Sequence, residues 1–172
     1  MNFSFAGTGC AAPVPVRLDA AVSRRLTPGM SGIWQRAATV EDINARLTRG
    51  VVGLLGIRVV AVEPDSLVGE MPVEAKHLQP FGLLHGGVSV VISETLGSLA
   101  AFLTLPEGEM VVGLEVNANH LAVVRAGDLL RATCRPIHVG RRTQVWQTEI
   151  RRADGKLACI SRLTCAVIEE KA

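Results

Sequence analysis

An α+β fold, with an antiparallel sheet wrapped around one long central helix, is what this sequence of 172 residues predicts. Three features carry the prediction. Residues 86–104 place large apolar side chains at helical spacing with one charge among them. The stretches 54–62, 67–73, 110–123, 128–138, 142–152 and 156–168 read as strands, bounded by Gly, Pro and Asp. The breaks between the last four are short, and short connections require antiparallel neighbours.

Taken in order, Thr39-Val-Glu-Asp42 fits a helix cap with acidic residues in the first turn. With Ile43 and Leu47 four apart, it predicts a helix over 39–50. The strand 54–62 turns at Glu63-Pro64-Asp65-Ser66 and returns over 67–73. After a polar loop from Lys76 to Gly82, His85-Gly86-Gly87 opens the long helix. Val88, Val91, Ile92, Leu96, Leu99, Phe102 and Leu103 line its apolar side. Ser89, Ser93, Gly97, Ser98, Ala100 and Ala101 form a small-residue face that would let another backbone approach closely. Glu94 is the only charge, so the helix is expected to be buried nearly all round. The last four strands form a meander, with Asp154-Gly155 as a hairpin signal. Residues 1–31 mix small residues, Pro and Arg without period and are expected to be a flexible extension, leaving one domain at 32–172.

Composition narrows the function classes. Aromatics are 3% with no Tyr, too few for a base-stacking nucleic-acid surface, and the net charge of +2 is too small for a polyanion binder. Cys10, Cys134, Cys159 and Cys165 contain no C-x-x-C pair and read as reduced thiols, which points to the cytoplasm. His77, His85, His120 and His138 lack metal-ligand spacing, so no metal and no cofactor are expected. The stretch 88–105 has a membrane-spanning length but carries Glu94, and no membrane partner is expected.

The chemistry centres on Glu94. A carboxylate on an otherwise uncharged helix is costly unless it is paired or used, and desolvation makes it a better base or nucleophile. At the start of the helix, Gly86 and Gly87 let a ligand approach unpaired N–H groups at the positive dipole end, which suits a developing oxyanion. Gln79 and His85 add donors there. Glu94 lies eight residues beyond Gly86, or about 12 Å along a helix. Both can act on one carbonyl only if the helix start of one subunit meets Glu94 of another, which predicts a site at a two-fold interface.

The runs HLQPFGLLHGGVSVVISETLGSLAAF, VVGLEVNANH, HVGRRTQVWQ and ADGKLACISRLTCAVI resemble the hotdog-fold acyl-CoA thioesterases over about residues 32–169. The likeness is greatest to the branch that hydrolyses aromatic acyl-CoAs, including the 1,4-dihydroxy-2-naphthoyl-CoA thioesterases of menaquinone synthesis. The resemblance implies Glu94 as nucleophile or general base and the Gly86 N–H polarising the thioester carbonyl. Gln79 and His85 would assist from the subunit of Gly86, with Ser98 near Glu94. It implies acyl-CoA as substrate and a homodimer as the minimal unit, assembled into a homotetramer. Gly113, His120, His138, Gly140, Arg141, Arg142, Thr143 and Phe81 would contact acyl group or CoA. Leu121, Ala122 and Val123 depart from a family pattern that is polar or basic there. Two other readings share the scaffold: a non-catalytic acyl-CoA-binding module, and an enoyl-CoA hydratase, which would need a His–acid pair. Thiol release separates them from hydrolysis.

Overall fold

Thr39 starts the first regular element. Its hydroxyl accepts the Asp42 N–H at 3.0 Å, the Asp42 carboxylate accepts from the Thr39 N–H, and helix α1 (Val40–Leu47) follows. The computed structural model describes residues 32–170, so the expected extension 1–31 lies outside the described residues. A single helix to residue 50 followed by a strand from Leu54 is not what forms. The chain breaks after α1 and winds a second short helix, α2 (Gly50–Leu55). Gly56, left-handed at φ 68°, closes α2 by returning its N–H to the Gly53 carbonyl, and strand β1 (Arg58–Val62) begins only beyond it. The apolar run that suggested a strand was a helix end, an ambiguity inherent to short apolar stretches.

Strand β2 (Leu67–Pro72) pairs with β1 across a turn closed by Glu63 N–H to Ser66 O at 2.8 Å. Then come helix α3 (Gly86–Leu103) and strands β3 (Glu109–His120), β4 (Leu129–Val139), β5 (Thr143–Arg152) and β6 (Leu157–Glu169). All six strands form one antiparallel sheet in the order β1-β2-β4-β5-β6-β3. The four-strand meander is therefore corrected to three strands. β3 does not pair with β4 but lies at the far edge beside β6. The segment after β3 is too long for a hairpin. It crosses the start of α3, where Leu84 N–H donates to Val124 O, and meets the end of β2 through Gly127 N–H to Val73 O.

α3 lies across one face of this sheet. Its small residues serve that contact, in place of the approach of another chain that the sequence suggested. Ser89, Ser93, Gly97, Ala100 and Ala101 are buried on the chain's own strands. The Ser161 hydroxyl donates to Ser93 Oγ at 2.6 Å, and a methyl group placed on Gly97 would stand 2.6 Å from Leu163 Cδ2. Leu96, fully buried, points at Gly69 of β2, and burying such a side chain contributes about 1.5–3 kcal/mol. The described residues leave the opposite face of α3 open, so the helix is not buried all round and Glu94 is exposed. Among the described residues α3 is the one helix long and apolar enough to cross a bilayer. Its buried face against the sheet identifies it as a core helix. Trp34 and Trp146 stack with centroids 6.2 Å apart, which ties the segment before α1 to the sheet.

Candidate active site

The start of α3 is built by its own loop. His85 is the N-cap: its Nδ1 accepts the Gly87 N–H at 3.0 Å, so in the neutral ring the proton sits on Nε2. Its backbone N–H donates to the carbonyl of His77 at 2.9 Å, and Leu78 bridges Leu84 across the loop. The Gln79 Oε1 accepts the Phe81 N–H, which leaves the Gln79 amide NH2 free to donate. Phe81, at the loop tip, is 85% exposed. A Cβ on Gly86 would meet His120 Nε2 at 2.8 Å, so only glycine lets the His120 ring lie against the first turn. Together Gln79, Gly86, Ser89, His120 and the 121–124 segment enclose a cavity of about 420 Å³.

His77 is a supporting residue that sequence reasoning passed over as part of a polar loop. It is 1% exposed, and its Nδ1 accepts the Glu74 N–H at 2.9 Å. Burial, with the charge of Lys76 beside it, holds its imidazole below the ordinary value, while Glu74 and the Leu55 carbonyl oppose that shift more weakly. The signal available in sequence was a histidine in a position that a capping turn must bury.

Glu94 occupies the open face of α3, two turns further on. No described residue hydrogen-bonds its carboxylate, and Ser98, half-buried one turn later, makes no bond to it. The nearest backbone across from it is Gly113, where an added Cβ would lie 3.5 Å from Glu94 Oε1. Cys165, paired with Gly113, has its thiol pushed up to about 11, first by burial and then by the Glu94 charge.

The expected ligand residues fall at two ends of the sheet. Gly113, Cys165, Gln144 and Val139 form one row across β3, β6, β5 and β4, beside the turn of Gly140, Arg141, Arg142 and Thr143. Gly140 donates its N–H to Thr143 O at 3.0 Å, and a Cβ there would collide with the His138 ring. His120 lies seven residues beyond Gly113 on β3, about 23 Å away at strand spacing. Within one chain, then, the structure joins Gln79, His85, Gly86 and His120 at one end. Glu94, Ser98 and Gly113 sit apart from them, and His138 is not brought to His120. Arg141 and Arg142 are exposed and form no ion pair among the described residues. Arg152, by contrast, pairs with Asp154 and donates to Val123 O, and Arg151 pairs with Glu149.

An antiparallel six-strand sheet laid around one long helix, with a glycine pair at the helix entry and a carboxylate on its open face, defines a hotdog-fold protein. Residues 81–159 match the model of the thioesterase superfamily. The chain is 48% identical over 136 residues to the 1,4-dihydroxy-2-naphthoyl-CoA hydrolase of Escherichia coli, covering 79% of this chain and 99% of that one. It is 43% identical over 136 residues to a proofreading thioesterase of Cronobacter turicensis, covering 79% and 98%. The crystal structure of a Haemophilus influenzae thioesterase superposes with a TM-score of 0.77 at 48% identity, covering 80% and 95%. This chain belongs to the thioesterase superfamily and is a thioester hydrolase.

Proposed function

We propose that the chain hydrolyses an aromatic acyl-CoA to the free acid and CoA, 1,4-dihydroxy-2-naphthoyl-CoA being the substrate named for one of its relatives. The single observation that carries the mechanism is Glu94: a carboxylate without a hydrogen-bond donor among the described residues, on the open face of a helix that begins with the Gly86 N–H. The thioester carbonyl accepts from the Gly86 N–H, where the helix dipole stabilises the oxyanion as it forms. Glu94 either attacks the carbonyl carbon or removes a proton from the attacking water. The C–S bond then breaks, the thiolate of CoA leaves and is protonated, and the acid remains. The Gln79 amide and the outward Nε2–H of His85 donate beside the carbonyl.

The separation of about 12 Å between Gly86 and Glu94 supports a site shared by two chains. The outer edge of β3, unpaired among the described residues, supplies a surface where two copies pair, and a dimer of such dimers is the proposed assembly. Arg141 and Arg142, cations without carboxylate partners among the described residues, are assigned to the phosphates of CoA.

Thiol release from an aromatic acyl-CoA tests the reading. Glu94→Ala is expected to lower kcat by about 10²–10⁴ while circular dichroism and sedimentation stay unchanged. Full turnover in that variant overturns the assignment. Arg141→Ala with Arg142→Ala is expected to raise KM with little change in kcat.

A further inference from the structure

A second cavity, about 470 Å³, lies at the C-terminal end of α3, between that helix and the segment leading into α1. Ile43, Leu99, Phe102 and Leu103 give it apolar walls, and Arg36 gives it a polar one. Arg36 is fixed by three backbone carbonyls. Its Nε donates to Leu105 O at 3.0 Å, and its Nη2 donates to Pro106 O at 2.6 Å and to Glu109 O at 2.7 Å. Its guanidinium carbon lies 3.9 Å from the centroid of the Phe102 ring. No carboxylate among the described residues pairs with it, and its Nη1 donates to none of them. A guanidinium held this way is a preformed donor, because most of its rotamer entropy is already lost before a ligand arrives.

The rest of the rim selects the acceptor. Asp42 and Glu107 also border the cavity, and Arg46 stands beside Asp42. The Asp42 carboxylate is engaged by the Thr39 N–H and hydroxyl. Two carboxylates against two arginines leave no net positive field to draw in a full anion. A neutral hydroxyl or carbonyl oxygen on an apolar body fits better, taking the Nη1–H bond at no Coulombic penalty.

We propose that this cavity receives the far end of the acyl group, and that Arg36 Nη1 donates to a hydroxyl or carbonyl oxygen carried there. The inference rests on the assignment of Glu94 to the thioester carbonyl. Glu94, Ser98 and Phe102 stand on successive turns of one side of α3, with Glu94 and Phe102 about 12 Å apart along the axis. An acyl group that leaves the reacting carbonyl toward the helix C-terminus runs along this side into the cavity. A short acyl group stops before it, whereas a fused bicyclic or an aryl-alkenyl group extends toward it. The cavity thereby favours extended aromatic acyl groups oxygenated at the end remote from the thioester over 1,4-dihydroxy-2-naphthoyl, whose two hydroxyls lie on the ring that carries the carbonyl.

The test compares 6-hydroxy-2-naphthoyl-CoA with 2-naphthoyl-CoA on the full chain. The hydroxylated substrate is expected to show a kcat/KM higher by about tenfold or more, the scale of one hydrogen bond to a charged donor, with the gain mostly in KM. Arg36→Met is expected to bring the ratio near one. Since Arg36 also ties down three carbonyls, Phe102→Leu serves as the second variant, removing the platform while keeping those bonds, and it too should lower the ratio. Ready hydrolysis of both substrates at equal kcat/KM by the unaltered protein overturns the inference and leaves the hydrolase reading intact. If neither substrate releases thiol, the mechanism fails, and calorimetric titration with 6-acetyl-2-naphthol and 2-acetylnaphthalene then decides. Tighter binding of the naphthol, weakened by Phe102→Leu, supports the cavity assignment, and equal or absent binding refutes it.

Discussion

Gly97 offers a test of what the small residues of α3 are for. In a helix interior, Gly97→Ala by itself stabilises by about 0.8–1 kcal/mol, because alanine restricts the unfolded chain and shields the backbone. The structure opposes that gain. The new methyl would stand 2.6 Å from Leu163 Cδ2, 3.3 Å from its Cβ and 3.5 Å from its Cγ. The Cδ2 end can rotate away, but the Cβ is fixed by strand β6, and Leu163 is 2% exposed with no open space to move into. Overpacking of this kind costs about 1–3 kcal/mol, so the net expectation is a loss of about 1 kcal/mol. Urea denaturation followed by circular dichroism reads it as a lower midpoint at an unchanged slope. The double variant with Leu163→Ala sharpens the experiment. Leu163→Ala alone leaves a cavity and loses about 2–5 kcal/mol, and the methyl added by Gly97→Ala then fills part of it, giving a favourable coupling of about 1 kcal/mol. A stabilised Gly97→Ala protein with no coupling to Leu163 would refute the reasoning. Unchanged stability with weakened self-association would restore the view that this face meets a second chain.

Three further outcomes follow from buried polar groups. Gln144→Leu removes the acceptor of the Trp146 Nε1–H bond at 3.0 Å and the partner of Thr104 Oγ1, all inside the core, and a loss of about 2–3 kcal/mol is expected in the same urea assay. His77 binds a proton less readily folded than unfolded, so stability is fully present above its ordinary value of 6.5 and declines as pH falls through that value toward the lowered folded one. Thermal melts of His77→Gln should show a flatter decline as pH falls from neutral toward the acid limit. The Cys134 and Cys165 thiols, raised to about 12 and about 11, mainly by burial, should escape iodoacetamide at about pH 8 in native protein and react in urea, read by peptide mass spectrometry.

Where local chemistry dictated structure, the sequence was readable. The Thr39–Asp42 cap, the start of α3 at the glycine pair and the Asp154-Gly155 hairpin are decided by groups within a few residues of one another, and each stands where it was expected. The place of β3 was not readable, because its partner β6 is about forty residues away in the chain and nothing in either strand states which neighbour will pair. The burial of Glu94 failed for a related reason. Lack of charge around the helix measures how much of it is apolar, not which side the sheet covers. The glycine-pair end was legible as a group, since Gln79, His85 and Gly86 are close in sequence. His120 joins them through strand pairing, and Arg36 reaches Phe102 and the end of α3 from across the fold, so neither contact has a local signature.

The two borders of the sheet are unlike. On β1 the Asn44 side chain acts as a strand in miniature: its Nδ2 donates to Val59 O at 2.8 Å and its Oδ1 accepts the Val59 N–H at 2.9 Å. That plug occupies the peptide groups an incoming strand would need. β3 carries no such plug among the described residues, and Leu114 on it is 61% exposed. A ribbon open at both margins can add copies without limit, as fibres do. One sealed at a single margin can only meet its like once, and whatever growth begins at β3 ends with that meeting.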